Sequence, residues 1–191
     1  PCHNESYIER YDMVQDLKDG GTFLLNCLWK TQEELDKHIP AKVKQFIAKH
    51  NIQFYTIDAS SIAREVGLGN RVSTILQSAF FNLTQIIPGD EALQLMKDAA
   101  TKSFSKKGED IVRMTHEAID KGFTAMSKVD VPAAWADATD TPKKPLFEVK
   151  DPELKKFMDN VLVPTNDQHG DDIPASIKLL ERASRIDPTN A

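Results

Sequence analysis

The chain has 191 residues, 40% hydrophobic and 28% charged, a composition that fits one globular domain or a domain with a tail. With 24 Lys and Arg against 29 Asp and Glu, the formal charge is −5, which argues against a dedicated nucleic-acid binder with its basic face. No apolar run approaches the roughly 18 residues of a membrane span. The opening Pro1-Cys2-His3-Asn4-Glu5 has neither region of a signal peptide. It also lacks an initiator Met, which predicts a processed protein or a piece of a longer one. Cys2 and Cys27 are too few for a disulfide framework and are expected as free thiols in a reducing, cytoplasmic setting. No Cys-x-x-Cys or His-x-x-x-His occurs, so no metal ligand set is expected.

In chain order, Tyr7, Ile8, Tyr11, Val14 and Leu17 recur at helical spacing, which predicts an amphipathic helix over Ser6 to Leu17. Asp19-Gly20-Gly21 ends it, and the apolar run Thr22–Cys27 reads as a buried strand of the parallel type. Thr31-Gln-Glu-Glu34 has the pattern of a capping box and starts a short helix that stops before Pro40. A helix over Ala41 to Lys49 and a second strand, Ile52–Ile57, follow. Asp58 or Ser60 caps the next helix, which Gly67-Leu68-Gly69 breaks. Three further helices are expected: Val72 to Ile86, one capped by Asp90, and one marked by Ile111 to Met126. The fold class is therefore α/β, a mainly parallel sheet flanked by helices, with a helix-rich second half and an extended C-terminal tail. The boundary is placed at 140, giving a domain over 1–140 and a linker with the start of a further segment over 141–191. Pro152 to Leu162, capped by Asp151, and Ala175 to Arg185 read as short helices in that tail.

Few residues carry chemistry. Gly67-Leu-Gly-Asn-Arg-Val-Ser73 opens a helix and is either an anion-approaching loop or a plain helix–helix turn. Lys106-Lys107 either steers an anion or is a solvated face, and His116 is either a general base or an ordinary helical histidine. Glu33/Glu34 and Asp171-Asp172 lack the spacing of a calcium loop. Trp29 and Trp135 read as packing anchors. No self-contained catalytic set emerges, which points to a piece of a larger machine or to a binding module.

The ordered strings Gly20-Gly-Thr-Phe-Leu-Leu-Asn-Cys27 with Trp29, Phe54-Tyr-Thr-Ile-Asp58-Ala59, Gly67-Leu-Gly-Asn-Arg71 and Gln77-Ser-Ala-Phe-Phe81 resemble the pyruvate:ferredoxin (flavodoxin) oxidoreductases. Lys106-Lys-Gly-Glu109, Met114, Val131-Pro-Ala-Ala-Trp135, Pro164-Thr-Asn166 and Gly170-Asp-Asp172 continue the resemblance over roughly residues 1 to 175. The stretch is similar to the later part of the domain related to the gamma subunits of 2-oxoacid oxidoreductases. The resemblance implies an enzyme that decarboxylates pyruvate on thiamine diphosphate with Mg, passes electrons through [4Fe–4S] clusters to ferredoxin or flavodoxin, and acetylates coenzyme A. It implies that those cofactors are held by other domains of the same enzyme, and that this piece holds none fully and is inactive alone. A sheet edge left exposed by missing opening strands is expected to give a homodimer or edge pairing. The resemblance further implies coenzyme A contacts on Ser73 and Thr115, positions where the family usually has Asn. Two alternatives stand beside this: a gamma-type subunit of another 2-oxoacid:ferredoxin oxidoreductase, and a non-catalytic module docking through helix Val72–Ile86. The last segment, 177–191, lies outside the resemblance.

Overall fold

The computed structural model describes residues 1–140, 149–166 and 170–173. The chain divides into two units, Pro1–Asp140 and Thr141–Ala191. The helix expected over Ala175 to Arg185 and most of the Pro/Lys linker lie outside the described residues.

In the first unit, β1 (Thr22–Asn26) pairs parallel with β2 (Gln53–Ile57) in register Thr22 to Gln53 through Asn26 to Ile57. A two-residue strand, β3 (Ser127–Lys128), joins the far edge of β2 antiparallel. The open edge of β1 is met by the start of the chain. Cys2 N–H donates to the Leu24 carbonyl (2.7 Å), and Asn26 N–H donates to the Cys2 carbonyl (2.9 Å).

Helices flank the sheet: α1 (Tyr7–Arg10), α2 (Gln32–His38), α3 (Ala41–Lys49), α4 (Ala59–Glu65), α5 (Ser73–Thr84), α6 (Gly89–Phe104) and α7 (Glu109–Thr124). Successive strand residues point to opposite faces, so β1 feeds two cores. Phe23 and Leu25 join Ile47, Phe54 and Trp135 in one, while Leu24 joins Ile57, Ile75, Leu76 and Ala118 in the other. Burial on both faces explains the near-continuous apolar run of β1.

The first helix is one turn, not the twelve residues its periodicity predicts. Tyr11 is already extended, and the Asp12 carboxylate accepts from Gln15 N–H at 3.2 Å. That local bond offers the backbone an alternative to the helix, and Asp12 also pairs with Lys42. Met13, Val14 and Leu17 still pack on the core.

Thr31 and Glu34 form the expected reciprocal cap of α2, and Asp58 caps α4 by accepting from Ser61 N–H at 2.9 Å. At the end of α4, Leu68 N–H reaches the Ala63 carbonyl (2.8 Å) and Gly67 N–H the Arg64 carbonyl (3.2 Å), the paired bonds of a Schellman stop. Gly67 and Gly69 take φ of +84° and +63°, values open to glycine. Asp90 sits in the first turn of α6 rather than at its cap, which is Pro88.

Helix α7 lies tightly on α5. A Cβ on Gly122 would stand 2.6 Å from the Ile75 carbonyl oxygen, so only glycine permits this approach. The buried Ser78 hydroxyl donates to the Ile119 carbonyl at 2.6 Å, and the Asn82 amide donates to that of Phe123 at 2.5 Å.

In the second unit, Asp151 caps α8 (Pro152–Phe157) through the amides of Glu153 and Leu154. A π-helical turn, Met158–Leu162, leads into α9 (Val163–Asn166), and Gly170–Asp172 forms a 3₁₀ turn.

Candidate functional site

Two clefts of the first unit are lined in part by polar groups. The first lies at the carboxyl ends of β1 and β2, the crevice where open α/β sheets hold ligands. Asn26 is the last residue of β1, and its buried amide ties the crevice together. Its oxygen accepts from Ala59 N–H (3.0 Å), and its nitrogen donates to the His3 carbonyl (2.9 Å). Glu5 accepts from Leu28 N–H at 3.2 Å, so the opening segment of the chain builds one lip. Ser60 and Arg64 of α4, with Asn70 and Val72 of the glycine turn, build the other. The volume is about 340 Å³.

The second cleft lies between α5, α6 and α7 and has a volume of about 350 Å³. Phe81, Leu95, Met96 and Phe104 give it apolar walls, and Thr74, Gln77 and Thr115 are among its polar members.

Ser73 and Thr115 are placed differently. Ser73 is exposed in the first turn of α5, lines neither cleft, and its hydroxyl bonds to no other described residue. Thr115 is 3% exposed, faces the helical cleft, and donates its hydroxyl to the Ile111 carbonyl at 2.7 Å. The side chain that shares the cleft with Thr115 is thus Thr74, the neighbour of Ser73. The glycine turn links the regions: Asn70 reaches the strand-end cleft, while a Cβ on Gly67 would meet the Met114 sulfur at 3.2 Å, one residue before Thr115.

The other candidates resolve into structural roles. His116 Nε2 lies 3.0 Å from the Lys97 carbonyl and 2.9 Å from the Thr101 hydroxyl, a bridge from α7 to α6. Lys107 stands 5.3 Å from the centre of the Phe104 ring, a cation–π contact on the surface. Trp135 is buried and donates to Asp36, and Trp29 stacks on His38 with ring centres 4.8 Å apart. Both thiols are buried, and burial pushes Cys27 up to about 12 and Cys2 upward as well. Among the described residues no three His, Cys, Asp or Glu side chains converge as a metal site.

Asn26, Thr74 and Gln77 were not singled out from the sequence. A polar residue ending an apolar strand was the available sign for Asn26. Polar positions one turn apart on one face of a helix were the sign for the other two.

The fold is that of an α/β domain with a crevice at the strand ends. A family profile described as "Pyruvate ferredoxin/flavodoxin oxidoreductase" matches residues 1–125. The chain is 43% identical over 175 residues to the pyruvate:ferredoxin oxidoreductase of Moorella thermoacetica, covering 92% of this chain and 14% of that protein. It is 41% identical to the pyruvate-flavodoxin oxidoreductase of Klebsiella pneumoniae, with the same coverage. Among solved structures, the PORC subunit of pyruvate oxidoreductase from Thermotoga maritima aligns with a TM-score of 0.51 at 19% identity. That alignment covers 66% of this chain and 62% of the other, and it supports the α/β fold alone. The chain belongs to the pyruvate ferredoxin/flavodoxin oxidoreductase family. It spans about a seventh of the length of these full-length relatives.

Proposed function

We propose that this chain is a section of an enzyme that oxidatively decarboxylates pyruvate to acetyl-CoA and CO2, with electrons passed to ferredoxin or flavodoxin. Residues 1–140 form part of its gamma-like domain, and 141–191 lead toward the next segment. The similarity at 43% identity over 92% of the chain carries this reading. The section contributes coenzyme A contacts through Ser73 and Thr115, and packing against other domains of the same enzyme. Ser73 suits the role because its exposed hydroxyl is uncommitted at the start of α5. Thr115 suits it as an acceptor, since its proton is already given to Ile111.

Two buried cysteines cannot supply the four thiolates of a [4Fe–4S] cluster. Clusters, thiamine diphosphate and its Mg therefore belong on other parts of the enzyme in this reading, which is cytoplasmic and homodimeric. Isothermal titration of coenzyme A into the intact enzyme tests the assignment. Ser73→Ala is expected to weaken binding more than Thr115→Ala, and unchanged affinity in both removes these contacts.

Packing against neighbouring domains is favoured by one surface. Phe80, Phe81 and Leu83 on α5 are only half-buried, and Ile86 just beyond is 68% exposed. Such apolar exposure on one side of a unit marks an interaction face. Ile86→Asp is expected to loosen domain association in limited proteolysis of the intact enzyme; an unchanged digestion pattern excludes that face.

A further inference from the structure

Asp19-Gly20 is the only place in the sequence where Asp or Asn precedes glycine. The pair occupies the tight turn that leads into β1. Gly21 N–H donates to the Lys18 carbonyl at 2.8 Å and closes that turn. Gly20, its third residue, takes φ of +71°, as a type II turn requires. The Asp19 side chain is 84% exposed. Glycine has no Cβ to shield its amide nitrogen, so that nitrogen attacks the neighbouring carboxyl whenever both groups are free.

His50 holds both groups. It ends α3, with its ring stacked on Phe46 at 4.1 Å between centres. Its Nδ1 lies 2.6 Å from a carboxylate oxygen of Asp19. A carboxylate only accepts, so Nδ1 carries the proton of that bond. The His50 backbone carbonyl accepts from Gly20 N–H at 2.8 Å. One residue thus occupies the electrophile with its ring and the nucleophile with its main chain.

We propose that Asp19-Gly20 is a site of spontaneous isoaspartate formation and that His50 guards it in the folded chain. The Gly20 nitrogen bonds to Asp19 Cγ, the Cγ–OH bond of the neutral carboxyl breaks, and the hydroxyl leaves with the amide proton as water. Water then reopens the succinimide. Attack at Cγ restores aspartate, and attack at the α-carbonyl leaves the chain running through Cγ. The second route adds one backbone carbon just before β1, beside the bond from Gln53 N–H to the Gly21 carbonyl (2.7 Å). Its product is the substrate class of the isoaspartyl methyltransferases. Neither cleft takes part.

The full chain is aged near neutral pH, folded and in urea, and isoaspartate at residue 19 is measured by methyltransferase labelling and mass spectrometry of the digest. Folded wild type is expected to accumulate it more slowly than the chain in urea. His50→Phe keeps a ring against Phe46 and loses the bond to Asp19. Once circular dichroism shows it folded, it is expected to react about two- to tenfold faster than wild type, the worth of one hydrogen bond. In urea the two are expected to react alike. His50→Asn keeps a donor near the Nδ1 position and is expected to stay close to wild type. Absence of isoaspartate at residue 19 even in urea overturns the site. The guard is overturned if folded wild type reacts as fast as the chain in urea, if folded His50→Phe is no faster than wild type, or if His50→Asn loses all the protection.

Discussion

The sheet half and the helical half of the first unit are held together by different means. Around β1 and β2, large side chains fill two cores, and local signals bound two of the helices: Thr31 with Glu34 starts α2, Asp58 starts α4, and the glycine stop after Val66 ends α4. Between α5 and α7, contact depends on what is small. Gly122 lets the Ile75 backbone approach, and Ser78 and Asn82 bond directly to carbonyls of the facing helix. Burial of large residues tolerates substitution of similar volume, whereas a close backbone approach tolerates almost none. The helical half is also where the candidate Thr115 sits, so the positions most sensitive to a single methyl support that part of the site.

The sharpest way to break this contrast is Gly122→Ala. Alanine gains about 1 kcal/mol of helix propensity over glycine, but its Cβ would meet the Ile75 backbone at 2.6–2.9 Å. Backbone cannot step aside as a side chain can, so the clash is expected to win, with a net loss of about 1–3 kcal/mol in urea unfolding. Ser78→Ala comes next. It removes a buried hydrogen bond while the Ile119 carbonyl stays within α7, for a loss of about 0.5–1.5 kcal/mol by the same measurement. In the sheet half, Thr31→Ala removes the cap of α2 and is expected to cost about 1 kcal/mol. A Thr31→Ala loss larger than that of Gly122→Ala would reverse the contrast.

The smallest effect concerns pH. The N–H groups of Lys30 and Thr31 donate to Glu34 and hold its carboxyl below the usual carboxylate range. A carboxyl whose folded pKa is depressed stabilises the fold above its unfolded pKa, and that contribution fades as pH falls through the folded value. Acid unfolding of Glu34→Gln is therefore expected to begin from a slightly lower stability near neutrality and to show a shallower decline below pH 5 (roughly the top of the carboxylate range). A decline identical to wild type contradicts the assignment.

Much of the sheet half was legible because its signals are local. An apolar run between turn residues, a Thr-x-x-Glu pattern and a Pro after a short helix each act within a few residues. The first helix misled because Asp12 makes a bond that periodicity does not register. Strand β3 escaped notice because two exposed residues carry no pattern, and only pairing with Tyr55 and Thr56 defines them. The candidate site was legible as single positions and not as a place. The glycine turn stood out, yet the strand-end cleft also needs His3, Asn4 and Glu5, brought to Asn26 across more than twenty residues. Likewise Thr115 could be marked, but its partners Thr74 and Gln77 emerge only when α5 packs on α7.

The measurement that bears most directly on the account is steady-state kinetics of the intact oxidoreductase carrying Ser73→Ala. The KM for coenzyme A is expected to rise several-fold, about what one lost hydrogen bond is worth, with the KM for pyruvate unchanged. An unaltered KM for coenzyme A, or a change confined to pyruvate, contradicts it.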